Sequence, residues 1–188
     1  MKLLSKCALL GAVAAVSLGA TAANAQVGLT SSVATVQINA TKSSVLTVAV
    51  NSGATQTLAS LTDNAANSFA SPVNITTTWD LNAGTNVILV GSFATPAQAL
   101  ASGTNFITST YVKGRVTTGT PTSFTAFTQN GVGTVGTAGG SLTLFTQSAA
   151  SLAGNRTDNL DLQIDLTGHA NLVPGTYSGT LNLQAIVQ

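Results

Sequence analysis

Apolar and polar positions alternate with a period of two through much of the chain. Val36, Ile38 and Ala40 alternate with Gln37 and Asn39, and Leu46, Val48 and Val50 with Thr47 and Ala49. Val73, Ile75, Thr77, Trp79 and Leu81 fall on one side of a strand, with Asn74, Thr76, Thr78 and Asp80 on the other. Near the end, Leu160, Leu162, Ile164 and Leu166 alternate with Asp161, Gln163 and Asp165. Leu181, Leu183, Ala185 and Val187 alternate with Asn182, Gln184 and Ile186. This pattern predicts half-buried antiparallel strands. The unbroken apolar run 87–90 predicts a strand buried on both sides. Segments 106–112, 123–128 and 141–146 complete the set.

The connections fit. Residues 41–44 read as a bend, 132–140 as a glycine-rich mobile loop, and the stretch from Gly168 to Gly175, with its Pro-Gly pair, as the turn before the last strand. Thr95 followed by Pro96 predicts a short helix of about two turns over 95–101. About seven to nine short strands without a fixed repeat predict an all-β, immunoglobulin-like antiparallel β-sandwich. One domain is expected over 26–188.

The first residues add export to this picture. Lys2 and Lys6 precede a run of small apolar residues, 7–20, and then Ala23-Asn24-Ala25. That is the layout of a secretory signal peptide over 1–25, with cleavage between Ala25 and Gln26. The apolar run is shorter than the ~20 residues of a spanning helix, so no retained membrane span is expected. The protein is expected in the periplasm, on the cell surface or outside the cell. The single cysteine, Cys7, sits at the front of the apolar run, where lipidation would not use it. A mature chain without thiols excludes a disulfide framework, a cysteine nucleophile and a cysteine metal site. It must fold by burial and backbone pairing alone, for which about 160 residues suffice.

Charge is scarce. Beyond the leader the cations are Lys42, Lys113, Arg115 and Arg156. Five aspartates oppose them (Asp63, Asp80, Asp158, Asp161 and Asp165), for a net charge of −1. Neither sign clusters, so nucleic acid is excluded as a partner. A surface of Thr, Ser, Asn, Gln and Gly has little repulsion to keep copies apart, which suits self-association.

Catalytic chemistry finds no seat. His169, the single histidine, falls in a turn and reads as a solvated residue. Asp161 and Asp165 lie on one side of a strand ~13 Å apart, too far for a paired-carboxylate site, and with Asp158 read as solvent-facing charges. There is no Gly-x-Ser-x-Gly elbow and no phosphate loop. No catalytic, cofactor-binding or metal-binding residue is therefore assigned, and no enzyme activity or cofactor is expected. Trp79 reads as core. Trp79 and the tyrosines offer at most an aromatic face for a carbohydrate- or matrix-binding module, the alternative function.

The C-terminal run Leu172-Val173-Pro174-Gly175-Thr176-Tyr177-Ser178-Gly179-Thr180-Leu181-Asn182-Leu183 and the segment Ala34-Thr35-Val36-Gln37-Ile38-Asn39-Ala40 resemble the secreted spore coat protein U and chaperone-usher fimbrial-subunit group. The resemblance implies an incomplete immunoglobulin-like sandwich, completed when one subunit donates its N-terminal strand to the next. It thus implies a pilus- or coat-like structural subunit or adhesin. Its partners would be its own copies or other surface subunits, with a periplasmic chaperone. Val36, Ile38 and Ala40 would be the inward knobs of the donor strand. Many members of the group carry an early disulfide that this chain lacks.

Overall fold

The computed structural model describes residues 31–149, 153–169 and 171–188. The signal peptide and the cut between Ala25 and Gln26 lie outside them. The chain divides into two units, residues 1–41 and 42–188. In the first, residues 31–41 form neither strand nor helix. Val33, Val36 and Ile38 are exposed at 88, 83 and 86%. The strand expected over Val36, Ile38 and Ala40 is therefore not formed: extended backbone becomes a strand only when a neighbour takes its hydrogen bonds.

Residues 42–188 are all-β. Eleven strands are described: β1 (Val45–Ser52), β2 (Ala66–Ser68), β3 (Val73–Asp80), β4 (Asn86–Ser92), β5 (Leu100–Ser102), β6 (Asn105–Ile107), β7 (Val112–Val116), β8 (Thr125–Ala126), β9 (Ser141–Ser148), β10 (Ala153–Asp165) and β11 (Asn182–Val187). One sheet has the order β1-β3-β10-β7-β8, with β2 also on β10. A second has the order β11-β4-β9, and β5 and β6 form a hairpin. Every strand pair is antiparallel. The sheets enclose a core of aliphatic residues with Trp79, Phe93, Phe127 and Phe145, as a two-layer β fold requires.

The order β1-β3-β10-β7 beside β11-β4 matches the A-B-E-D and F-C order of an immunoglobulin-like sandwich, while β9, which follows β7 in the chain and pairs with β4, has no counterpart in it. The place of a G strand, on the free side of β11, holds no strand among the described residues.

β4 is buried on both sides, as its unbroken run predicts. Val87 and Leu89 face the main core. Ile88 and Val90 lie on the outer side, covered by Val132, Val135 and Ile186. The cover comes from residues 131–136, where Val132 and Val135 exchange backbone hydrogen bonds. The expected mobile loop is thus a tight turn pressed on the sheet by its two valines. Leu144 and Phe145 are consecutive yet both in the core. Opposite β4 the register skips from Phe145 to Thr143, and the extra residue lets two neighbours point inward.

Other expectations change in detail. The segment 106–112 splits into β6 and the start of β7 around a turn, and 123–128 keeps only the two residues of β8. The helix over 95–101 is a single 3-10 turn, Pro96–Gln98, since the chain re-enters a strand at Leu100. β10 begins seven residues before Leu160, where the apolar alternation starts. Over that half its inward positions are Gly154, Arg156 and Asp158. Trp79 lies over Gly154, where a Cβ would come within 2.8 Å of the ring.

Candidate functional site

β1 and β11 are edge strands of the two sheets and lie near each other, and a groove that Val50 of β1 and Leu183 of β11 border reaches core residues there. Its volume is about 880 Å³. Val73, Phe93, Val112, Leu162 and Ile164, all core residues, form its floor. Its walls are two stretches outside regular strands: residues 53–61, with Leu58 and Leu61 packed on the core, and residues 172–181, with Leu172, Tyr177 and Leu181. Gly53 starts the first wall at φ 76, and a Cβ there would meet Pro72 O at 2.5 Å, so only glycine turns the chain off β1 at this point. The second wall is held by Tyr177 Oη, which donates to Val173 O at 2.9 Å, and by Leu172 N–H, which donates to Asp63 Oδ1 at 3.2 Å.

Chemically the groove is a burial site. Asp63 and Tyr177 are the titratable side chains among its lining residues, and the bonds just described engage both. The apolar floor can accept alternate side chains of an added strand, and the free edge of β11 can take its backbone hydrogen bonds.

The aspartates divide. Asp161 and Asp165 face outward, as expected, and each meets a cation of β7: Arg115 Nε to Asp161 Oδ2 at 2.9 Å, Lys113 Nζ to Asp165 Oδ2 at 2.6 Å. The hydrogen bond from Lys113, followed by those from Thr167, lowers the Asp165 pKa from 3.8 to about 2. Asp158 corrects the expectation of a solvent-facing charge, being 2% exposed. It takes a forked pair from Arg156, Nε at 2.7 Å and Nη2 at 2.9 Å, and the hydroxyl of Thr118 at 2.6 Å. Arg156 also donates to Thr118 O and lies 4.6 Å over the Phe145 ring. This pair closes the interior where β10 carries no apolar residue.

His169 lies just after the turn at Thr167 and Gly168, edge-on to Tyr111 with ring centroids 4.5 Å apart. Trp79 is in the core. No group of three or more His, Cys, Asp or Glu residues that could hold a metal ion occurs among the described residues, and no described helix is long and apolar enough to cross a membrane. The groove walls escaped the sequence reading because 53–61 and 172–181 do not alternate cleanly. Their signal was isolated leucines and an aromatic among turn residues.

The fold and groove define the class, an all-β antiparallel sandwich with an apolar groove at one flank. No family model, curated protein or solved structure matches the chain.

Proposed function

We propose that the protein is a non-enzymatic, exported structural subunit or adhesin of the bacterial cell surface, and that it joins its copies by strand donation. Residues 33–40 of one copy enter the groove of the next, with Val36, Ile38 and Ala40 as knobs. One observation carries this reading. The chain holds an open groove floored by core residues and also a strand-patterned segment whose valines and isoleucine are more than four-fifths exposed. Each is a cost alone, and each fits the other's chemistry. Burying one Val or Ile contributes about 1.5–3 kcal/mol, and the unpaired edge of β11 supplies backbone partners at a ~3.3 Å rise per residue. Until assembly the groove needs cover, which is the service a periplasmic chaperone would give.

The test is negative-stain microscopy and denaturing electrophoresis of the mature protein, 26–188, beside a Val36→Asp, Ile38→Asp variant and a form lacking 26–40. Filaments or detergent-resistant ladders from the mature protein alone are expected. A monodisperse mature protein, with the shortened form unfolded, overturns the proposal, because the segment would then be completing its own sandwich.

A further inference from the structure

The outer side of the larger sheet carries a pattern that strand donation does not use. Facing solvent are Thr47, Ala49 and Asn51 on β1, Asn74, Thr76 and Thr78 on β3, and Asn155, Thr157 and Asn159 on β10. The register aligns Thr47, Thr78 and Asn155 in one row, and Ala49, Thr76 and Thr157 in the next. Asn74 faces Asn159 in the third row, which Asn51 joins across the shift in β1. The rows repeat every ~6.6 Å and the strands every ~4.8 Å, which makes a grid with no side chain larger than asparagine.

Hydrogen bonds hold the Asn51, Asn74, Thr76, Thr157 and Asn159 side chains of this grid in one arrangement. Asn51 Nδ2 donates to Asn74 Oδ1 and to Thr76 Oγ1, both at 2.7 Å. Asn74 Nδ2 donates to Asn159 Oδ1 at 2.7 Å, and the hydroxyls of Thr76 and Thr157 are 2.8 Å apart. Every charged side chain of these strands on this face lies outside the grid and is paired: Asp80 with Lys42 at one end, Asp161 with Arg115 and Asp165 with Lys113 at the other. At the Asn74–Asn159 edge the face runs into a cleft of about 560 Å³, bordered by Ser52, Thr55, Gln56 and Ser71 and without a charged residue.

We propose that this face and its cleft bind a neutral polysaccharide, with the grid lying along the chain and the cleft seating one sugar. Amides and hydroxyls both donate and accept, which matches the hydroxyls of a sugar. Bringing neutral groups together avoids the desolvation cost of charge. An anionic glycan or a nucleic acid finds no unpaired cation here, and a hydrophobic peptide finds no apolar anchor. With no aromatic ring to stack on, one domain binds weakly. Useful strength comes from many domains on one filament, at the raised effective concentration of linked sites. In that respect alone the inference rests on the assembly proposed above.

The experiment is an NMR titration of the 15N-labelled mature protein carrying Val36→Asp and Ile38→Asp, so that binding is read on unassembled protein. The probes are maltohexaose, cellohexaose and mannohexaose, with an oligogalacturonate as the acidic control. At least one neutral hexasaccharide should shift the side-chain amides of Asn51, Asn74 and Asn159 at millimolar concentration. The shifts should persist in 0.5 M NaCl. Asn74→Ala with Asn159→Ala should weaken binding at least tenfold, and Thr76→Val should weaken it without loss of fold. The proposal is overturned if no neutral probe moves these amides at 10 mM, if the acidic probe binds more tightly, or if the shifts map to the apolar groove. Sugar binding retained where assembly fails, or the reverse, separates this proposal from the previous one.

Discussion

On the flank of β7, β8 and β9 the two sheets are laced together by backbone hydrogen bonds, whereas none among the described residues joins β1 to β11. After β7 the chain passes from one sheet to the other, and its amides bond to both. Thr120 N–H donates to Leu144 O, Phe127 N–H to Val112 O, and Gln129 and Ser141 exchange bonds. Phe127 drops between the sheets, wholly buried and edge-on to Phe93 with centroids 5.3 Å apart. Gly91 and Gly114 make the room, since a Cβ at either would come within 3.2 Å of its ring. On the other flank Val50 is 41% exposed and the groove reaches the core. The residues are of the same kind on both sides. On one flank the crossing chain fills the space between the sheets, and on the other the stretch 172–181, passing from β10 to β11, only walls the groove, so an apolar strand face states a demand for cover without stating who meets it.

The comparison breaks most visibly at Phe127. Phe127→Ala removes the plug of the laced flank and should cost about 3–5 kcal/mol in urea unfolding. A loss under about 1 kcal/mol would mean that the crossing backbone alone holds that flank. Next comes the ion pair that fills the interior end of β10. Asp158→Ala leaves Arg156 largely buried without its partner and should cost about 3 kcal/mol. Replacing both residues by leucine should cost less than the single change, by thermal unfolding at pH 7. On the proposed donor segment the contrast is between stability and assembly. Ile38→Asp alters a side chain in solvent, so it should stay within about 0.5 kcal/mol of the parent monomer in urea while filaments are lost on the grid.

The smallest effect belongs to Asp165. Its pKa is lowered to about 2 by Lys113 and Thr167. The stabilisation is therefore complete above about pH 4 and is lost as the pH falls toward 2. For a partly exposed ion pair this is about 1 kcal/mol or less. Asp165→Asn should flatten the stability profile in that window, read as melting temperature against pH.

β3, β4 and β11 were legible because their alternation, or its absence in β4, reports directly which sides are covered. The first half of β10 was not. Its inward glycine, arginine and aspartate look like surface until Trp79 is found lying over Gly154, and Asp158 is found gripped by Arg156 and Thr118. The loop 132–140 misled for a similar reason. Its glycines signal turns, while the two valines that fasten it to β4 are too few to register as an element. Of the groove, the floor residues Val73, Val112, Leu162 and Ile164 were visible as strand residues, and Phe93 and the walls were not. The neutral grid was spread over three distant segments that only the register brings into rows.

The sequence by itself determined the β architecture and the charge-poor composition of the surface, because period-two burial and composition are local properties that each strand carries with it. It also put a strand-like alternation into residues 33–40. Tertiary structure alone decided which edges stay open, which polar side chains lie inside, and how Asn51, Asn74 and Asn159 come to share one row. Those outcomes depend on the pairing of segments more than twenty residues apart, and the residue pattern of any one segment does not encode its neighbour.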